Sequence, residues 1–212
     1  PVLLSMGREN LYVWKMPPAM VHEKAAAERL CKLGRGANMD GGGVKEGKIE
    51  LTAAVDGLFW LDREKLMAIN SLEDIMIATR HGDTAVKAGD KLCGTRVIPL
   101  VIEEEKLQAA EAAAGDTPIM AVLPYQVKTA CIVTTGSEVF KGLIKDTFTP
   151  VVEEKLRAFG IAVTEHETVG DGLENVAAAI ARIREKGVDM ILCTGGMSVD
   201  PDDNTPGAIK RS

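Results

Sequence analysis

At 212 residues the chain is long enough for one large domain or two small ones, and 46% hydrophobic with 26% charged residues is the balance of a folded globular protein. A formal charge of −6 excludes the broad basic face that nucleic-acid binding needs, so an anionic ligand would have to be met locally, by backbone N–H groups, a few cations or a metal. Aromatic residues are only 4%, which leaves Ala, Val, Ile, Leu and Met to fill the core.

Cys31, Cys93, Cys131 and Cys193 lie far apart and form no CxxC pair, so neither metal-site spacing nor a disulfide framework is present. Buried free thiols in a reducing cytoplasm are expected. No apolar run reaches the length of a membrane span and no signal-peptide pattern precedes the chain; a cytoplasmic protein without membrane partners is expected. The opening Pro1-Val2-Leu3-Leu4-Ser5 reads like the middle of a sequence, so an excised fragment is expected, although loss of an initiator Met before Pro1 would look the same.

Over residues 1–35 the pattern predicts a short helix opening at Val2-Leu3-Leu4 and ended by Gly7. An extended Tyr12-Val13-Trp14 follows, then a break at Pro17-Pro18 and a helix from Met20 to Leu33 stopped by Gly34. Asn38 to Gly47, with three successive glycines, reads as a loop. Strands are predicted at Lys48–Ala53, around an Asp56-Gly57 turn, at Ile75–Thr79, and on both sides of the glycines between Val86 and Leu100. Short strands separated by Gly turns suggest a small β barrel or sandwich. The stretch has a distant likeness to barrel-sandwich domains, but the hairpin lysine of lipoyl and biotinyl domains is not found, and a scaffold role is expected.

Glu103 to Ala114 reads as an acidic, Ala-rich helix, and a boundary is placed between Gly115 and Pro124. This divides the chain into a small N-terminal domain, 1–122, and an α/β domain, 123–212. In the second part Thr129–Thr134, Ile161–Val169 and Asp189–Thr194 read as strands. Asp146–Phe159 and Leu173–Lys186 read as helices, and Thr205-Pro206 opens a last one. The helix at Asp146 is expected to bury Phe148, Val151, Val152, Leu156 and Phe159; the one at Leu173 is expected to bury Leu173, Val176, Ala177, Ile180 and Ile183. Strands alternating with helices predict a parallel sheet covered on both faces.

The first and third of these strands end alike, in Thr134-Thr135-Gly136-Ser137-Glu138 and Thr194-Gly195-Gly196-Met197-Ser198. Ligands of open parallel sheets sit outside the carboxyl ends of the strands. Glycines there admit a ligand close to the backbone, and N–H groups with Thr and Ser hydroxyls can hold phosphate oxygens; a tight strand-to-helix turn accounts for either one alone. Glu138, Asp171, Asp200, Asp202 and Asp203 should gather at the same edge. Such acids repel a phosphate unless a cation such as Mg²⁺ lies between. Helix capping is the alternative for Asp146, Asp171 and Asp203 taken singly. His22, His81 and His166 have no partner acid evident in the sequence and are expected to be structural or solvated.

The run from Thr134 to Arg211 resembles the domain shared by molybdopterin adenylyltransferases, molybdopterin molybdenumtransferases, gephyrin and the competence-damage-inducible proteins. The resemblance is carried by Thr135-Gly136-Ser137-Glu138-Val139, Gly142, Asp146-Thr147-Phe148, Gly170-Asp171-Gly172, Thr194-Gly195-Gly196 and Asp203-Asn204-Thr205-Pro206. Ser137 stands where the family has Asp, Phe148 where it has Asn, and Asp200 where the molybdenumtransferases commonly have Gly. The N-terminal motifs of a full molybdenumtransferase are not found.

The resemblance implies a three-layer α/β domain of molybdopterin-binding type, truncated at its C-terminus and preceded here by a small β-rich α+β domain. It implies a pterin phosphate held by Thr135, Gly136, Ser137, Thr194, Gly195, Gly196 and Ser198. Mg²⁺ would lie at Glu138, Asp171 and Asp203, with Asp171 and Asp203 in catalytic roles. The partners implied are molybdopterin or its adenylylated form and molybdate. A homodimer is expected from the open edge of the truncated sheet. Three functions stay open: molybdate insertion, pterin binding or delivery without turnover, and nucleotide pyrophosphatase chemistry like that of the competence-damage relatives.

Overall fold

The computed structural model describes residues 15–198 and 204–212. The expected helix at Val2 and the extended Tyr12–Trp14 lie outside the described residues. The chain forms two compact units, Pro1–Pro124 and Tyr125–Ser212. Among the described residues no helix is long and apolar enough to cross a membrane.

In the first unit, strand β1 (Met20–His22) leads into α1 (Glu23–Gly34). The helix expected from Met20 therefore starts three residues later, because Met20, Val21 and His22 pair antiparallel with Glu103, Ile102 and Val101 of β8 (Val101–Glu103). The His22 imidazole instead caps α1, accepting from Lys24 N–H at 3.2 Å. Gly34 is the last helical residue rather than a left-handed stop, and a Cβ there would stand 2.6 Å from the Met120 methyl.

The middle of this unit is β-rich. Strands β2 (Met39–Gly41), β3 (Lys48–Ala53), β7 (Lys91–Val97) and β5 (Ile75–Thr79) form one antiparallel sheet in that order; β6 (Thr84–Val86), β4 (Gly57–Leu61) and β9 (Met120–Pro124) form another. The Asp56-Gly57 turn is real, but β3 and β4 belong to different sheets, so it carries the chain between sheets instead of closing a hairpin. Part of the glycine-rich loop is strand β2, paired with β3. Helices α2 (Arg63–Asn70) and α3 (Glu104–Ala114) complete the unit. Its core is built on Leu30, Leu51, Phe59, Leu92, Ile102 and Leu107, all essentially excluded from solvent. Arg29 of α1 joins the helices, with its guanidinium on Glu104 at 2.8 Å and Glu111 at 2.7 Å.

The second unit is a parallel sheet in the order β11 (Ala162–Val169), β10 (Thr129–Thr135), β12 (Met190–Thr194). Its strands and helices alternate, as the periodicity predicts. Cys131 and Val133 face α6 (Leu173–Glu185) and α7 (Thr205–Arg211), forming a small core with Val169, Val176, Ala179, Ile180, Ile183 and Ala208. On the other face lies α5 (Phe148–Ala158), whose Thr149 hydroxyl reaches Thr134 and His166. The burial expected of α5 is corrected: Leu156 is buried, whereas Phe148, Val151 and Phe159 are largely exposed at 69%, 52% and 47%. The four cysteines are free thiols, three of them buried.

At the end of the sheet away from the glycine turns, the Asp189 carboxylate accepts from Lys128 N–H and Thr129 N–H, each at 2.8 Å, and from the Thr129 hydroxyl at 3.0 Å. This one oxygen fixes where β10 and β12 begin. Asp189→Ala should lower the thermal midpoint of the full chain by several degrees and Asp189→Asn by less, since the amide oxygen still accepts N–H groups; circular dichroism melts check the order.

Candidate functional site

The carboxyl ends of β10 and β12 lie side by side, because Thr134 and Thr194 are paired in parallel register. Gly195 and Gly196 are both left-handed, at φ 88° and 58°. A Cβ on Gly195 would fall 2.2 Å from the Thr135 carbonyl oxygen, and one on Gly196 would fall 2.5 Å from the Thr205 hydroxyl. No side chain fits at either position, so glycine is required on both steric and conformational grounds. Bare backbone is thereby presented where a ligand of a parallel sheet approaches.

The Thr135 hydroxyl donates to the Thr194 carbonyl at 3.3 Å and lies 3.3 Å from the Thr205 hydroxyl. Thr205 N–H in turn donates to the Gly196 carbonyl at 3.0 Å. Thr135 and Thr205 are buried, so their hydroxyls brace the two turns against the start of α7. Sequence reasoning read Thr205 only as a helix start; its hydroxyl role depends on a packing contact that no spacing encodes.

The first turn continues into one turn of helix, α4 (Ser137–Phe140). Gly136 N–H donates to the Val169 carbonyl at 3.2 Å, and Ser137 N–H donates to the Asp171 carboxylate at 2.7 Å. Asp171 therefore ties the end of β11 to the end of β10 and is not the side-chain cap of α6, whose cap residue is Gly172. Glu138 is exposed on α4, and Ser198 is exposed beyond the second turn. Asp200, Asp202 and Asp203 lie outside the described residues. Among the described residues, no three His, Cys, Asp or Glu side chains come together to hold a metal.

On the opposite face of β10 sits a polar cluster. Asp146 accepts from Phe148 N–H at 2.9 Å and Thr149 N–H at 3.0 Å with one oxygen. Its other oxygen accepts from the hydroxyls of Thr149 at 2.5 Å and Thr134 at 3.1 Å. Asp146 thus serves the first turn of α5, as the capping reading expects. His166 does have partners: its Nε2 is 2.9 Å from the Thr134 hydroxyl and 3.5 Å from the Asp146 carboxylate. His166 is thus structural, with an acid beside it that the sequence did not show; β11 pairs with β10 in a register that brings it opposite Ile132, beside Thr134.

Burial raises the Asp146 carboxyl, but the Thr149 hydroxyl, the Thr149 and Phe148 N–H groups and the Thr134 hydroxyl outweigh it and hold the group below its ordinary 3.8. A depressed carboxyl contributes stability that is present above the unfolded value and lost as pH falls through the folded one. Acid unfolding should therefore lose this contribution below pH 3.8. Asp146→Ala should cost about 1–2 kcal/mol at neutral pH, the typical loss of a capping side chain. The deficit should shrink as pH falls, which urea melts at neutral pH and at the acid limit would show.

Residues 131–212 match the family described as "Probable molybdopterin binding domain". Among curated proteins, a CinA-like protein of Desulfosudis oleivorans is 41% identical over 81 residues, 38% of this chain and 19% of that protein. A CinA-like protein of Thermotoga maritima is 33% identical over 85 residues, 40% of this chain and 21% of that protein. The chain thus spans about a fifth of the length of the curated relatives it matches. Among solved structures, the protein CinA from Thermoplasma acidophilum aligns at a TM-score of 0.38 and 25% identity, over 41% of this chain and 51% of that one. The molybdopterin biosynthesis Mog protein from Mycobacterium ulcerans aligns at 0.37 and 28%, over 40% and 55%. Residues 131–212 of this chain are thus similar to the molybdopterin-binding domain family.

Proposed function

We propose that the second unit binds molybdopterin or its adenylylated form, in the service of molybdenum cofactor biosynthesis, with the phosphate against the Gly136 and Gly195-Gly196 turns. The observation that carries this reading is the steric demand for glycine at residues 195 and 196, next to Thr135, inside a segment that matches the molybdopterin-binding family. Backbone kept bare by packing can meet phosphate oxygens at a strand end. In this reading the Ser137 and Ser198 hydroxyls add donors, and Thr135, Thr194 and Thr205 keep the turns in place.

Magnesium enters the proposal through Glu138, Asp171 and Asp203. Asp171 accepts from Ser137 N–H with one oxygen, Glu138 is exposed, and Asp203 lies outside the described residues, so no chemical step is assigned to a metal. Molybdate insertion would need the phosphoanhydride and molybdate held together beside these strand ends, and a cytoplasmic setting belongs to the same reading. A second copy is proposed as partner through the edge strand β12, whose side chains are all only partly buried. The CinA-like relatives favour a second reading, in which the same turns hold a nucleotide pyrophosphate for hydrolysis.

Titration of the full chain with molybdopterin, adenylylated molybdopterin and a dinucleotide pyrophosphate, each with and without Mg²⁺, tests these readings. Molybdopterin binding is expected, with Gly196→Ala weakening it at least tenfold, about 1.4 kcal/mol. Asp203→Asn should weaken any Mg²⁺-dependent part by a similar factor while leaving the melting midpoint within a few degrees, since the change removes only a charge and the cap residue of α7 is Asn204. Binding that ignores Gly196→Ala would reject the site, and turnover of the dinucleotide alone would select the second reading.

A further inference from the structure

Beside the turns, β11 and α6 border a cleft of about 410 Å³, lined by Phe140, Thr168, Gly170, Asn175, Ala178 and Arg182 among others. Most of its wall is polar or small; the apolar exceptions are Val169, which is buried, and Phe140, the last residue of α4, which is 59% exposed. Its position is set by the site itself. Phe140 N–H donates to the Gly136 carbonyl at 2.9 Å, and the ring stands 3.7 Å from where a Cβ on Gly170 would lie. Gly170 precedes Asp171, the residue that holds Ser137 N–H. Across the cleft, Arg182 is held by Glu167, and Asn175 donates its amide to the Asp171 carbonyl at 3.0 Å. An exposed aromatic ring, a guanidinium plane and an amide therefore share one recess.

We infer that this cleft is the subsite for the planar heteroaromatic ring of the ligand, and that Phe140 is the face on which the ring stacks. The inference rests on the reading that a phosphate lies at the glycine turns. Neighbouring strands are about 4.8 Å apart, so the ends of β12, β10 and β11 together span about 10 Å. A phosphorylated pterin or a mononucleotide is about that long from phosphate to ring edge, so a phosphate at the Gly195-Gly196 turn brings the ring to the edge of β11. There Phe140 offers apolar contact on one face. The Arg182 guanidinium suits an electron-rich ring, and Asn175 can exchange hydrogen bonds with ring edges. Stacking accepts either a pterin or a purine, which both open readings of the site require.

Two probes separate ring from phosphate: AMP and ribose 5-phosphate, each titrated calorimetrically into the full chain. AMP should bind about tenfold more tightly than ribose 5-phosphate, in line with the stacking of one base on an aromatic side chain. Phe140→Ala should remove most of that advantage and leave ribose 5-phosphate unaffected, while Phe140→Trp should keep it. Because Phe140 is largely exposed, its truncation leaves the core intact. Gly196→Ala should weaken both probes. An AMP advantage that persists in Phe140→Ala, or that is missing from the parent chain, overturns the ring subsite. Equal binding of both probes to parent and Gly196→Ala instead overturns the phosphate reading on which it stands.

Discussion

The second unit depends on the closeness of two strand ends. The Thr135 carbonyl and hydroxyl approach the Gly195-Gly196 turn so nearly that no Cβ fits at either glycine. Adjacent parallel strands lie about 4.8 Å apart, and turns leaving both in the same direction compete for the same space. Glycine resolves that competition at the expense of a side chain, and the result is a strip of backbone at the ligand-accessible end of the sheet. Thr205 closes the arrangement from α7, so the start of that helix is coupled to both turns.

Each face of β10 then carries a different kind of polar support. Toward α7, Thr135 and Thr205 are neutral hydroxyls that hold the turns without adding charge at the strand ends. Toward α5, Asp146, Thr134, Thr149 and His166 form a charged cluster that anchors a helix. Side chains alternate along a strand, so consecutive residues Thr134 and Thr135 serve opposite layers. Asp171 adds a third tie, between β11 and β10, by taking the Ser137 N–H. Of the carboxylates expected at this edge, Asp171 thus has a structural contact, Glu138 is exposed, and Asp200, Asp202 and Asp203 lie outside the described residues.

The α4 helix links this framework to the cleft at the β11 edge. Its first N–H is held by Asp171 and its last residue is Phe140, so the residue that anchors the turn also sets where the exposed ring stands. Phe148 and Val151 of α5 are exposed apolar residues as well. Neither lines this cleft, and Phe140 is set apart from them by its place beside Gly170 and Asn175.

Local signals settled much of this protein without its tertiary structure. Alternation and β-branched runs located β3, β5 and β10, helical spacing located α3 and α6, and the paired Thr-Gly turns marked the edge of the sheet where the family likeness lies. Strands β1 and β8 escaped because each is short and its partner is remote in sequence, as Met20 meets Glu103; β9 likewise depends on a remote partner, Trp60 meeting Ala121, and β2 is a three-residue strand inside a glycine-rich run. The apolar stripe of α5 was legible, but not that most of it faces outward, since an amphipathic pattern says which residues share a face and not what covers it. His166 and Asp146 are 20 residues apart, so only the β10–β11 register could bring them together. The identity of the turn residues was thus written in the sequence, whereas the reason that Gly195 and Gly196 admit no substitute, and the neighbours of Asp171 and Phe140, were decided by the packing of one strand end against another.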